Sequence, residues 1–310
     1  MTAALIIASG KTDGKKNFEP LKKTGTITAI KRLALLLQQA GIRRIVVVHD
    51  ENMPVTKWVP SMNLTFLPSP SDSEMLDNIK TGLSYLQDKV SKVLISYVDV
   101  PLFSVDTVKA LLAADADICI PSYHGRCGHP ILLGVGQFPE ILSYTGEKGL
   151  KGAIQSCQSA PEIIEVNDAG IVSDIQKGIS YKRLLNEHDI SHLRASFRLR
   201  IEKECPFYGP GPHLLLQLTE ETGSLSEACR HMGISYSKGR KIISTMEQQM
   251  GSPMIQTQQG GRGGGYSHLT REAKDLIQCY DAFCTEAEDT LQKLFQKHFS
   301  SQFGKNKTES

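Results

Sequence analysis

Cysteine is thinly spread in this chain. Its seven cysteines, at positions 119, 127, 157, 205, 229, 279 and 284, include no Cys-x-x-Cys pair. That spacing argues against a zinc or iron–sulfur cluster, and the odd count argues against a disulfide scaffold. It suits a reducing compartment. Long apolar runs are missing too. No stretch approaches about 18 residues, the length a membrane-spanning helix needs. The first apolar run, residues 3–8, has the length of a strand and lacks the basic flank of a secretion signal. No internal repeat is visible. Net charge is only +2, too little for the chain as a whole to bind polyanions. These absences predict a cytoplasmic protein with no membrane partner.

What is present fits an ordinary globular protein: 40% hydrophobic and 22% charged residues. At 310 residues there is room for two domains. The richest stretch is 223–270. Ser224 opens a Ser-x-x-Glu capping box ending at Glu227, which predicts two satisfied amide donors at a helix start. Gly233 suits the left-handed turn after a short helix. Ser235 then caps a second helix over residues 236–250. Two short helices joined by a Gly-containing turn predict a helix-turn-helix. Tyr236, Ser237, Lys238, Arg240 and Lys241 fall in the opening turns of the second. Lys238 there opposes the helix dipole, which makes sense if a phosphate sits nearby. Gly260 to Gly265, Gly-Gly-Arg-Gly-Gly-Gly, reads as a wing with one cation, Arg262, or alternatively as a plain flexible linker. Residues 235–274 hold six Lys or Arg against two Glu, a local charge of +4. Ser235, Tyr236, Ser237, Lys238, Arg240, Lys241 and Arg262 are therefore the candidate contacts to duplex DNA.

This segment resembles the DNA-binding domain of the ModE molybdate-responsive regulators, a branch near the LysR-type winged helices. Gly223-Ser224-Leu225, Ala228, Gly233-Ile234-Ser235-Tyr236, Met246-Glu247, the glycine wing, Leu269-Thr270 and Leu276-Ile277 carry the likeness. It covers roughly residues 211–290. Gly239-Arg240 departs from the family's usual small residue and Trp, which should weaken packing of the recognition helix. The molybdate-binding domains that follow in ModE proteins have no counterpart here. A final helix over residues 271–299 has an apolar seam at Ala273, Ile277, Tyr280, Cys284, Ala287, Leu291 and Leu294. That 3.5-residue spacing predicts either a coiled-coil homodimer or an amphipathic helix packed on its own domain. A reader of two half-sites favours the dimer.

The N-terminal part alternates strands and helices. Strands are expected at 5–8, 44–49, 93–98 and 117–121, and helices at 28–40, 75–86 and 105–113. This predicts an α/β domain with a Rossmann-like, mostly parallel sheet covered on both faces. Ligands in such sheets bind at the carboxyl ends of strands. Two loops lie there: residues 8–21, rich in Gly and Lys, and Asp99-Val100-Pro101-Leu102. A carboxylate beside such a loop suits Mg²⁺ on a nucleoside triphosphate, although a turn-capping aspartate has the same pattern. Ser9-Gly10-Lys11-Thr12 is not a P-loop, because Leu5 stands where its first glycine belongs.

Residues 1–190 are similar to the MobA/MocA-like nucleotidyltransferases of molybdenum-cofactor maturation. The pieces come in family order. They are Leu5-Ile6-Ile7-Ala8-Ser9-Gly10, Pro20-Leu21 with Gly25 and Ile30, Ala40-Gly41-Ile42, Ile45-Val46-Val47-Val48, Asp99-Val100-Pro101-Leu102, Gly128-His129-Pro130, Gly149-Leu150, and Asp174-Ile175 through Tyr181. The resemblance implies a nucleotidyltransferase fold, Asp99 as the Mg²⁺ ligand and His129 facing substrate. Ala8, Ser9, Gly10, Lys15, Lys22 and Lys23 would then hold the nucleotide. The family's loop arginine has no counterpart, and its lysine before Pro-Leu is replaced by Glu19, which repels phosphate. A second carboxylate is lost at Gln176. The two resemblances together imply a nucleotidyltransferase-like domain at 1–192 and a linker at 193–210, broken by Phe-Tyr-Gly-Pro-Gly-Pro at 207–212. A winged helix-turn-helix would follow at 211–300, with a long dimerisation helix, and a polar tail at 301–310. They imply a transcription regulator tied to molybdenum or molybdopterin that binds a nucleotide triphosphate or pterin nucleotide. An active CTP- or GTP-dependent transferase is the rival.

Overall fold

The computed structural model describes residues 1–12, 15–16, 19–53, 59, 63–174, 179–191, 195–258 and 266–303. The chain divides into two compact units, Met1–Asp189 and Ile190–Ser310. No described helix is long and apolar enough to cross a membrane.

The first unit is built on an eight-stranded sheet. It opens with β1 (Thr2–Ile7), two short ladders pairing β2 (Lys11–Thr12) with β3 (Lys15–Lys16) and β4 (Lys23–Thr24) with β5 (Ile27–Thr28), and α1 (Ala29–Gln39). Next come β6 (Arg44–Asp50), β7 (Thr65–Ser69), α2 (Met75–Leu86), β8 (Lys92–Tyr97) and α3 (Val105–Ala113). Then follow β9 (Ile118–Tyr123), β10 (Arg126–Cys127), β11 (Ile131–Gly134), α4 (Phe138–Ser143), α5 (Gly149–Ser156), β12 (Glu162–Glu165) and α6 (Ile179–Ser191). The strand order is β10-β9-β11-β8-β1-β6-β7, with β12 parallel to β9. β8, β1, β6 and β7 run parallel. β11 is antiparallel to both of its neighbours, an interruption that the sequence pattern did not announce.

Both faces of β1 are buried, and alternate residues feed different cores, as period two requires. Ala4, Ile6 and Ala8 pack with α1 residues Leu33 and Leu37 and α3 residues Val108 and Leu111. Ala3, Leu5 and Ile7 pack with α2, α4 and α5 through Ile79, Leu83, Ile141 and Ala153. The buried Arg32 of α1 ties distant segments together. It donates to Thr24 Oγ1 (3.1 Å) and to the Thr24 carbonyl (2.7 Å). It also reaches His188 Nδ1 of α6 (3.1 Å), and the other imidazole nitrogen lies 3.3 Å from the Phe103 carbonyl. A guanidinium only donates, so Nδ1 accepts and Nε2–H donates to Phe103, which sets the tautomer.

The second unit begins with a hairpin of β13 (Ile201–Glu202) and β14 (Pro206–Tyr208). It continues with α7 (Pro210–Thr222), α8 (Leu225–His231), α9 (Tyr236–Met250), a hairpin of β15 (Ile255–Gln258) and β16 (Tyr266–Leu269), and α10 (Arg271–Phe303). The expected break at 207–212 is corrected here. Phe207 and Tyr208 are buried in this unit's core, and the Gly-Pro run starts a helix. Proline at the first helical position forfeits an amide that would have had no partner anyway.

The seam expected on the last helix divides in two. Ala273 and Tyr280 are fully buried, and Ile277 and Cys284 partly so, against this unit's own core. Farther along, Ala287, Leu291 and Leu294 join Phe197, Leu199 and Phe283 in an open apolar groove. Phe283 and Leu294 are about half exposed, at 55% and 49%.

Candidate functional site

In the first unit, β1 and β8 run in parallel register, with Ile7 opposite Tyr97. The Val98 amide donates to the Ile7 carbonyl at 3.1 Å. The loops that follow therefore leave the same carboxyl edge side by side, placing Ala8-Ser9-Gly10 next to Asp99. Ala8 is buried and its amide donates to Val48 (2.8 Å). Ser9 is pinned by a polar cluster. Its Oγ lies 3.0 Å from Ser69 Oγ, and Asn78 Nδ2 donates to its carbonyl (2.9 Å) and to its Oγ (3.1 Å). Ser73 Oγ donates in turn to Asn78 Oδ1 (2.9 Å). Gly10 has a left-handed backbone, φ +130°, and the Lys11 amide donates to Ser73 (3.1 Å). The glycine loop is thus laced to the start of α2.

Lys15 lies in β3, and its side chain is outside the described residues. Lys22 forms an ion pair with Glu19 at 3.4 Å, so the replacement glutamate takes up one of the candidate cations. Lys23 is exposed. Asp174 is described, whereas residues 175–178, including Gln176, are not.

Asp99 lies in the turn after β8, just beyond Val98. Its charge and burial both push the Tyr97 phenol well above its usual range, burial contributing more. The Tyr97 ring packs on His129, centroids 4.2 Å apart. His129 sits in a tight weave. Its amide donates to Ile171 (2.9 Å), and the Gly128 amide donates to Pro121 (2.9 Å). A Cβ on Gly128 would stand 2.2 Å from the Ile171 carbonyl oxygen, so no side chain fits there. The His129–Pro130 peptide is cis. Burial lowers the His129 pKa to about 4, partly opposed by a hydrogen bond with Ile95, so the ring is neutral at pH 7. Asp168 secures the neighbouring turn, accepting from Ser104 N (2.7 Å), Thr107 Oγ1 (2.5 Å) and Gly170 N (2.8 Å).

The pKa of His129 has a stability consequence. Unfolded, the imidazole titrates near 6.5, and folded near 4. The unfolded state therefore binds the extra proton as pH falls from about 6.5 to 4, and the fold loses up to about 3 kcal/mol. His129→Gln should flatten the stability–pH curve in that window, measured by urea unfolding. Parallel curves for the two proteins would show that another group dominates.

No cluster of three His, Cys, Asp or Glu able to hold a metal occurs among the described residues. Asp99 on its own fits a hard cation that brings most of its ligands as phosphate oxygens and water. Sequence reasoning missed Tyr97, Ser69, Ser73 and Asn78. Tyr97 was within reach, two residues before Asp99, at the end of β8 where the chain turns through Val98 and Asp99.

In the second unit, Ser224 Oγ accepts from the Glu227 amide at 3.3 Å. The capping box is only half formed. Glu227 turns instead to Arg230 and His231, and the Ser224 amide donates to Thr222 Oγ1. Gly233 turns left-handed between α8 and α9 (φ +63°). Ser235 Oγ caps α9 by accepting from the Lys238 amide (3.2 Å). Ser235, Tyr236, Ser237, Lys238, Arg240 and Lys241 are all exposed. Among the described residues, Lys238, Arg240 and Lys241 pair with no carboxylate, whereas Lys274 is engaged by Glu220 at 2.6 Å. Arg262 lies outside the described residues. Gly239 is buried where α9 crosses α8, and a Cβ there would stand 2.2 Å from Cys229 Sγ. The expected loosening by Gly239-Arg240 is thus corrected: the glycine permits the close crossing, and Arg240 points to solvent. Gly239→Val should destabilise this unit by about 1–3 kcal/mol through overpacking, measurable by thermal unfolding. An unchanged melting temperature would mean that the crossing relaxes freely.

The family model of the MobA-like NTP transferase domain matches residues 4–161. The chain belongs to this family. A nucleotidyl transferase from Methanothermobacter thermautotroptrophicus shares the fold of the MobA-like part, with TM-score 0.51 and 15% identity over 61% of this chain and 97% of that one. A further 88 residues are 38% identical to the transcriptional regulator ModE of Yersinia pestis, covering 27% of this chain and 34% of that protein. The molybdenum-pterin-binding protein MopB of Rhodobacter capsulatus is 34% identical over 68 residues, 22% of this chain and 25% of that protein. The chain thus spans about a third or less of the curated relatives it matches. In this MobA-like chain, the glycine loop, Asp99 and Gly128-His129-Pro130 all fall within the matched residues.

Proposed function

We propose that the chain is a DNA-binding transcription regulator linked to molybdenum or molybdopterin metabolism, whose MobA-like domain binds a nucleotide or pterin nucleotide. The observation that carries this is the exposed face of α9, where three cations without carboxylate partners among the described residues stand on a capped second helix. The likeness to ModE over this part of the chain supports the same reading. Duplex DNA is the partner that such a face fits, because phosphate contacts are made by clustered Lys and Arg. The groove along α10 supports a homodimer, which a reader of paired half-sites requires. Steady binding of a 30-base-pair duplex, weakening steeply with added salt, is the expected result. Salt-independent binding, or none, would overturn it.

A second reading, an active nucleotidyltransferase, is favoured by one observation: Asp99 beside the Ser9-Gly10 loop. There a phosphate oxygen of the acceptor would attack the α-phosphate of CTP or GTP and pyrophosphate would leave. Mg²⁺ held by Asp99 would supply charge neutralisation on the triphosphate. The neutral His129 would form a wall of the site rather than an acid. The Glu19–Lys22 pair weighs toward the regulator. Asp99→Asn should abolish Mg²⁺-dependent nucleotide binding by the full chain, measured by calorimetry, and leave DNA affinity intact. Equal binding by both proteins would remove Asp99 from the site. Pyrophosphate release from CTP or GTP with a molybdopterin acceptor would decide for the enzyme.

A further inference from the structure

The hairpin beside the helix-turn-helix carries an exposed aromatic ring that none of the foregoing uses. Tyr266 forms the last described rung before residues 259–265, paired with Gln258. It is 50% exposed, yet it is braced on two sides. Its ring packs against His268, centroids 4.2 Å apart. On its other side it lies on the bare backbone of Gly223, where an added Cβ would stand 2.1 Å from the ring. The Ser267 amide donates to the Gly223 carbonyl at 2.7 Å, locking the hairpin to that turn. Among the described residues the Tyr266 hydroxyl makes no hydrogen bond to a protein group. A braced ring with an apolar body and a polar tip has the character of a tyrosine at an interface.

Position and charge indicate what it recognises. Gly223 immediately precedes Ser224, the cap of α8, so Tyr266 stands at the start of the first helix of the pair. In a helix-turn-helix that helix crosses the DNA backbone while the second enters the groove. No Asp or Glu occurs between Glu247 and Glu272, although the chain holds 33 acidic residues. The nearby carboxylate of Glu220 is occupied by Lys274 (2.6 Å) and by the Leu269 amide (3.2 Å). The stretch from residue 248 to 271 that carries the ring thus brings no carboxylate of its own, and the nearby Glu220 is already held.

We infer that Tyr266 donates its hydroxyl to a backbone phosphate of duplex DNA, with His268 and Gly223 holding the ring in place. This rests on the DNA-binding reading, and the test separates the two. Tyr266→Phe keeps the ring and its packing and removes only the donor. Lys238→Ala removes a cation. Affinity for a mixed-sequence 30-base-pair duplex is measured for the full-length proteins across a salt series, with melting temperature as the control for folding. Tyr266→Phe should weaken binding about 3- to 10-fold at every salt concentration. The slope of log affinity against log salt should not change, because a neutral donor releases no counterion. Lys238→Ala should lower that slope by about 1. Wild-type affinity in Tyr266→Phe, alongside a weakened Lys238→Ala, overturns the tyrosine contact and leaves the DNA-binding reading standing. A slope lowered equally in both also overturns it. No duplex binding by the wild-type protein removes the reading and the inference together.

Discussion

Lys238, Arg240 and Lys241 replaced together by alanine should cost about two orders of magnitude in duplex affinity at 0.15 M salt. Each cation that neutralises a phosphate contributes about 0.9 to the salt exponent, so three contribute about 2.7. Relative to 1 M salt, 0.15 raised to that power is a factor of about 10². The three side chains are exposed on the opening turns of α9 and support no buried contact, so folding should be unaffected. Arg262→Ala should act in the same direction with about one third of the effect, and Lys238→Ala somewhat more strongly. Fluorescence anisotropy over a salt series measures both affinity and exponent. If the triple variant keeps the wild-type exponent, DNA is held by some other face.

The second large effect concerns assembly. If the proposed homodimer forms along α10, Leu291→Asp with Leu294→Asp should turn it into a monomer, because each carboxylate would enter the surface that the second copy covers, and burying an unpaired charge is costly. Ile277, a natural choice from the heptad spacing, is a poor probe. It packs against its own unit's core, so a charge there would unfold the domain as well. The groove residues Phe283, Leu291 and Leu294 avoid that confusion. Light scattering of the double variant should give half the mass of the wild type at matched concentration. Equal masses would mean that α10 does not join two copies.

The contrast between Ile277 and Leu291 shows where sequence reading stops. Heptad spacing marks seven apolar positions but cannot say which of two surfaces each meets, because both cover an apolar stripe equally well. Helices with clean periodicity, such as Met75–Leu86, Val105–Ala113 and Tyr236–Met250, were legible to the residue. The short strands Ile131–Gly134 and Glu162–Glu165 were not, because four residues carry too little pattern. At the site, the glycine loop and Asp99 were visible as strand-end features. The pinning of Ser9 by Ser69 and Asn78, 60 and 69 residues away, was not. Glu19 read as a lost cation, and only its ion pair with Lys22 turned the loss into a second subtraction of charge. Gly239 read as a defect because the cysteine it accommodates lies on another helix.

Arg32 bears on how this protein can be divided. The family match ends at residue 161, which invites a cut soon after it. Yet the guanidinium is buried and gives one hydrogen bond to His188, 156 residues along the chain. A fragment stopping at 161 would strip an acceptor from a buried cation and uncover the Phe103 carbonyl as well. The smallest piece expected to fold and be tested alone therefore runs through α6, and a shorter one should appear as insoluble or proteolysed material.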